Sequence, residues 1–254
     1  PEDGLLEVIS LNESGHGKAI SDLPIGSYYV QEISTNSAYI LDDTKYPVVF
    51  EYAGQDTAVV KITANEGEAI SNEIIYGSVS GKKSDEDGNA LGGATLGIFK
   101  TGTAEFTKET AIATTVSAED GSFSFEKVPY GTWIVREIES PKGFVLSEEE
   151  IAVTVGKVDE VVEISLVNYR IRGNIGLTKV DKDYPDNKLS GAEFEVYADT
   201  NGNGELDKDD ELIGKMTEIE VGVYQMKELL YGKYFVKETK APEGYVLDEN
   251  VYPV

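Results

Sequence analysis

Lysine, glutamate and asparagine recur in this chain at strand positions that should face a hydrophobic core. A glycine, an aromatic, a valine and a glutamate at every second position occur three times. The sets are Gly26, Tyr28, Val30, Glu32; Gly131, Trp133, Val135, Glu137; and Gly232, Tyr234, Val236, Glu238. Residues two apart in a β-strand share a face, so each glutamate points the same way as an aromatic and a valine. The same alternation puts Lys83 with Val79 and Gly81, and Lys179 with Ile175 and Leu177. It also puts Asn168 with Val162, Ile164 and Leu166, and Asn72 with Ile70 and Ile74. Polar groups on an apolar face are costly unless the core uses them.

Those three groups can react with one another. Burial lowers a lysine pKa and makes the neutral amine accessible; it raises a glutamate pKa, so the carboxyl can hold a proton. A protonated glutamate can hydrogen-bond the asparagine carbonyl and polarise it, and can carry the amine's proton to departing ammonia. Folding holds amine and carboxamide together at effective molarities of roughly 10⁵–10⁸ M, and the product is an amide between two side chains. A buried Lys–Glu ion pair with a hydrogen-bonded asparagine and no covalent bond accounts for the same residues equally well.

The elements that must position these groups are short strands. Residues 1–75 carry alternating patterns in LLEVISL, SYYVQEI, YPVVFEY and TAVVKIT, separated for the most part by turn-rich NESGHG and ANEGEA. Residues 76–170 contain the lysine strand, a turn-strand in DEDGNALGGATLGIF, a hairpin predicted around Asp120-Gly121, the glutamate strand, and the asparagine strand VVEISLVNYR. Residues 171–254 begin the series again, with LSGAEFEVY after LGGATLGIF and VKETKAPEGYVL after VREIESPKGFVL. The interval between matching residues is about a hundred, which indicates an array of similar units, each of roughly ninety-five residues and large enough for its own core. No stretch has a convincing helical period. The expected architecture is all-β: tandem immunoglobulin-like sandwiches, with the unit at 76–170 complete and those at 1–75 and 171–254 truncated.

Composition narrows the function. With 22 basic and 47 acidic residues the net charge is −25, which argues against nucleic acid or an anionic membrane as partner. Cysteine is absent, so disulfides, thiolate metal sites and thiol nucleophiles are unavailable. No apolar run reaches the length of a membrane span. The one histidine, His16, reads as a solvated turn residue in NESGHGK. The chain starts at Pro1 without methionine or signal peptide, and the expectation is a piece of a longer protein.

The pattern G-x-V-x-x-x-K-x-D, then L-x-G-A, then G-x-Y-x-V-x-E-x-x-A-P-x-G-Y, then a last strand with asparagine, resembles the Cna B-type (SpaA-like, prealbumin-like) repeat of Gram-positive surface proteins and pilins. The third unit matches through Gly173, Lys179, Asp181, Leu189, Gly191, Ala192, Glu238, Ala241, Pro242, Gly244 and Tyr245. The middle unit matches through Gly77, Val79, Lys83, Asp85, Leu91, Gly93, Ala94, Glu137, Pro141 and Gly143, with Trp133 for the tyrosine and Ser140 for the alanine. The first unit keeps Glu32 and Asn72 but has STNSAY where the Pro-x-Gly turn would be. The resemblance implies prealbumin-like sandwiches and a spontaneous isopeptide bond from Lys83 to Asn168 promoted by Glu137. Glu32 with Asn72, and Lys179 with Glu238, are partial sites.

A second constellation lies in the third unit. Asp199, Asn201, Asn203, Glu205, Asp207 and Asp210, with Gly204 at position six, follow the oxygen-donor spacing of an EF-hand-type calcium loop. Position twelve is aspartate instead of glutamate, and the flanks, EFEVYA and LIGKMT, are strand patterns, so the loop is expected as a hairpin insertion. An acidic, glycine-rich surface turn is the alternative.

The expected function is a stalk segment of a cell-wall-attached adhesin or pilin-like protein, extracellular and monomeric, cross-linked by lysine and asparagine. It needs no cofactor, with structural calcium as an addition, and other parts of the protein would meet a host surface or matrix ligand. The alternative is a ligand-binding module for host matrix protein or carbohydrate. An enzyme with paired carboxylates is disfavoured, because no nucleophile–base set accompanies them.

Overall fold

Burial along the strands follows the alternation of side chains. In β3 (Tyr76–Asp85) the residues Gly77, Val79, Lys83 and Asp85 are buried, and β9 (Val161–Asn168) buries Leu166 and Asn168 between exposed neighbours. The computed structural model describes residues 4–57 and 60–254. These divide into two compact units, one of Pro1–Ile75 with Gly156–Val158, the other of Tyr76–Val155 with Asp159–Val254.

In the first unit β1 (Gly26–Val30) pairs antiparallel with β2 (Tyr46–Phe50), and Tyr39 bridges Ile74. The strand expected at residues 5–11 does not form, the described residues 60–63 are irregular, and a 3₁₀ turn follows at Ala64–Gly67. Ala58 and Val59 of the TAVVKIT pattern lie outside the described residues. Leu5, Leu6, Val8 and Leu11 are all exposed. Alternation alone does not make a strand; without a partner ladder and a covered face, that segment gains nothing from extension.

The second unit holds four sheets. Residues 76–170 form β6 (Ser122–Pro129), β3 and β9 in the order β6-β3-β9, with β5 (Ala113–Val116), β4 (Thr95–Lys100), β7 (Gly131–Glu139) and β8 (Ile151–Val155) in the order β5-β4-β7-β8. Val79, Leu96, Ile98, Phe123, Phe125, Val135, Val155 and Leu166 fill the core. The predicted hairpin at Asp120-Gly121 is corrected here. β5 and β6 belong to different sheets, and the turn, closed by Gly121 N–H to the Ala118 carbonyl at 2.8 Å, carries the chain across the sandwich. A tight turn fixes direction, but the apolar faces on either side decide which sheet each strand joins.

β3 and β9, the first and last strands of this segment, lie parallel. Chain enters at the start of β3 and leaves at the end of β9, so their C-terminal ends, carrying Lys83 and Asn168, lie together. Residues 171–254 repeat the plan with β10 (Arg172–Thr178), β14 (Val223–Leu230) and β13 (Thr217–Glu220) in one sheet. β12 (Glu211–Lys215), β11 (Glu193–Ala198), β15 (Tyr234–Lys240) and β16 (Val251–Pro253) form the other. β11 and β12 form the expected hairpin around the acidic loop. Among the described residues, β10 has β14 on one side and no strand in the place that β9 takes beside β3.

The core makes one prediction. Leu96, with no exposed surface, should cost about 2–5 kcal/mol when replaced by alanine. The chain has a single tryptophan, Trp133, so urea titration followed by its fluorescence reports this segment alone.

Candidate functional site: a buried lysine, glutamate and asparagine

Lys83, Glu137 and Asn168 meet in the core of the middle segment, each 1% exposed. Three strands from both sheets deliver them: Lys83 near the end of β3, Glu137 on β7, Asn168 closing β9. In the β3–β9 register Asp85 lies opposite Asn168 and Lys83 opposite Leu166, so the two reactants are diagonal neighbours on one face.

Two glycines make room for Lys83. A Cβ at Gly81 would come within 2.3 Å of the Ile164 carbonyl oxygen and 2.5 Å of the Phe123 ring, so glycine lets the ring pack against β3 beside the lysine. Gly121, at φ +75°, accepts the Lys83 N–H at 2.8 Å, and a Cβ there would meet the Lys83 carbonyl oxygen at 2.3 Å. Lys179 has the second of these contacts: its N–H donates to the Gly222 carbonyl at 2.8 Å, and Gly222 has φ +68°.

Lys83 Nζ donates to Asn168 Oδ1, and Asn168 Nδ2 donates to both Glu137 oxygens at 2.9 Å. Lys83 Nζ lies 3.9 Å from Glu137 Oε1. The orientation differs from the expectation that glutamate would hold the asparagine carbonyl. The carboxamide turns its oxygen to the lysine and its nitrogen to the glutamate. Burial pushes the Lys83 amine below the ordinary lysine range, against the opposing pull of the Glu137 and Glu149 charges.

Glu137 Oε2 also accepts the Ser147 N–H at 2.7 Å. The same tie, ten residues on, joins Asp42 N–H to Glu32 at 2.9 Å and Asp248 N–H to Glu238 at 2.8 Å. This backbone donor escaped the sequence reading; the recurring spacing is its only trace there. The aromatic of each phrase also has a fixed use. Tyr28 donates to the Pro24 carbonyl at 2.8 Å, Trp133 to Pro129 at 2.8 Å, and Tyr234 to Leu230 at 2.5 Å.

The other predicted residues come together in pairs. Asn72 Nδ2 donates to Glu32 Oε2 at 2.6 Å. Lys179 Nζ stands 2.8 Å from Glu238 Oε1, an ion pair without good hydrogen-bond geometry. The Lys179 side chain keeps 19% exposure where that of Lys83 keeps none, because among the described residues no strand lies over it in the place of β9.

In loop 199–210, Asn201 and Asn203 turn their amide nitrogens to Asp207, at 3.2 and 2.8 Å. Asp210 accepts the Thr200 and Asp207 N–H groups, Asp199 Oδ2 accepts that of Gly204, and the Glu205 side chain is exposed. Asp199 Oδ1 is buried without a hydrogen-bond partner. Among the described residues no group of three or more His, Cys, Asp or Glu side chains converges as a metal site.

The repeated geometry has a counterpart in sequence families. The model of the SpaA prealbumin-like fold domain matches residues 6–67, 77–170 and 173–254. This chain belongs to that family. Its SpaA domains cover most of its length and account for the all-β architecture. The Bacillus anthracis TIE protein is 28% identical, with a TM-score of 0.67 over 97% of this chain and 42% of its own. This chain therefore spans less than half of that structure. A streptococcal ancillary pilin is 21% identical, covering 91% of this chain and 72% of its own, with a TM-score of 0.36. The shaft pilin SpaA from Lactobacillus rhamnosus GG is 13% identical, covering 70% and 92%, at 0.30. No curated protein matches the chain.

Proposed function

We propose that this chain is a load-bearing stalk segment of a pilin- or adhesin-like protein displayed outside the cell, and that its middle SpaA domain cross-links itself. The buried Lys83–Glu137–Asn168 contact carries this reading. The neutral Lys83 amine attacks Asn168 Cγ, forming the Nζ–Cγ bond. The Cγ–Nδ2 bond then breaks, and the proton lost by Nζ reaches Nδ2 through Glu137, so that one amide and one ammonia replace one amine and one carboxamide. Glu137 suits the transfer because it already touches the leaving nitrogen and lies 3.9 Å from the attacking one. The Ser147 N–H fixes its carboxylate plane.

Topology supports a mechanical role. Tension entering at the start of β3 would cross to the end of β9 through the Lys83–Asn168 amide. Nearly all of the sandwich, between residues 83 and 168, would be left out of the load path. Tandem SpaA domains extend the same principle along a stalk. The phrase aromatics Tyr28, Trp133 and Tyr234, which a ligand-binding face would expose, are engaged in internal bonds instead. Tandem mass spectrometry of a digest should recover one branched peptide joining the Lys83 and Asn168 segments. Recovery of two linear peptides in its place ends the reading.

We further propose that loop 199–210 takes a structural calcium ion, supported by its donor spacing and the unpartnered Asp199 Oδ1. Binding would pull Asn201 and Asn203 off Asp207. Calorimetry at millimolar calcium should show heat that Asp199→Ala abolishes; a flat trace for the natural chain ends the proposal.

A further inference from the structure

Beside the reacting pair, the end of β3 is held by a clamp that the reaction scheme does not use. Asp85 is 5% exposed. It accepts the N–H groups of Asp87 and Asn89, each at 2.9 Å, and the Asn89 amide at 3.0 Å. The Arg170 guanidinium also binds it, reaching Asp85 through Nη2 and Asp87 through Nη1. The Arg170 backbone N–H donates to Glu86 at 3.1 Å. Arg170 is two residues beyond Asn168, and Asp85 is the residue directly opposite Asn168 in the β3–β9 register. The clamp therefore joins the two strands at the point where the reactants must meet.

The third SpaA domain engages the matching aspartate differently. Asp181, two residues after Lys179 as Asp85 is after Lys83, accepts the Tyr245 hydroxyl at 2.8 Å. Tyr245 follows Glu238 by the interval that separates Phe144 from Glu137. Phenylalanine has no hydroxyl. Phe144 instead bridges Arg170 through its backbone, with its ring centroid 6.0 Å from the guanidinium. Arg170 thus supplies from the asparagine strand the donor that Tyr245 supplies from the loop after the glutamate strand.

We infer that Arg170 is a positioning residue for cross-linking, locking the end of β9 against Asp85 so that the Asn168 carboxamide is presented to Lys83. This inference rests on the cross-linking reading above. A charge-assisted, two-pronged contact suits the task because it fixes direction as well as distance, and reaction within a folded core is steeply sensitive to small misplacements.

The test is a time course of the full 254-residue chain made by cell-free synthesis, quenched in denaturant and read by intact mass. Arg170→Ala should slow ammonia loss at least tenfold with an unchanged circular dichroism spectrum. Adding Phe144→Tyr, which recreates the Tyr245 arrangement, should recover most of the rate, and Arg170→Lys should fall between. Natural rates in Arg170→Ala overturn the inference and leave the reaction standing. Slow reaction that Phe144→Tyr does not recover also overturns it, since general destabilisation then explains the loss. A natural chain that never loses ammonia removes the underlying reading itself.

Discussion

Glu137→Ala should leave the chain at its full sequence mass, whereas the natural chain should be lighter by one ammonia. The loss should be one and no more, because among the described residues only the middle domain brings lysine, glutamate and asparagine together. Glu32→Ala and Glu238→Ala should therefore leave the mass deficit of the natural chain unchanged. Stability should change with the mass. Lys83 and Asn168 lie 85 residues apart in sequence, and a cross-link closing such a loop is worth on the order of 4–5 kcal/mol in the chain-entropy model. At roughly 4–8 °C per kcal/mol for a domain of this size, the Trp133-monitored transition should fall by roughly 15–40 °C. Glu137→Gln separates catalysis from packing: it keeps the side-chain shape but cannot hold and return a proton, so it too should stay at full mass. A deficit of one ammonia in Glu137→Ala defeats the proposed role.

Asn168→Ala, in which no amide can form, should grow more stable as pH rises toward the ordinary lysine range. Burial holds Lys83 below that range, with Glu137 and Glu149 partly offsetting the shift. Between its depressed folded value and about 10.4, the unfolded chain binds a proton at Lys83 that the folded chain does not, so stability increases with pH across that window. Below the window the penalty is full; above it the penalty is gone. Tyrosines titrate nearby, so the comparison is with Lys83→Met/Asn168→Ala, which shares every other group. The difference in denaturation midpoint between the two variants should shrink as pH rises from neutral to 10. A constant difference would mean that Lys83 keeps its charge on folding.

Much of this was legible locally. Period-two alternation put Lys83, Glu137 and Asn168 on inward faces, and all three are buried, because side-chain direction in a strand depends on the strand alone. Recurrence of the glutamate phrase identified the array for the same reason. The errors lie where a partner decides. Residues 5–11 alternate well and form no strand, since a strand also needs a ladder and a covered face. Asp120-Gly121 makes its turn, yet β5 and β6 part into two sheets.

The amino-acid sequence by itself determined the all-β class, the repeat, the inward polar triad and the acidic, cysteine-free composition. Only the tertiary structure decided that β3 and β9 run parallel and side by side, that the Asn168 nitrogen faces the glutamate, and that Ser147 and Arg170 brace the site. Alternation is written into neighbouring residues, whereas pairing across 85 positions depends on which apolar faces close on each other, and no local spacing records that.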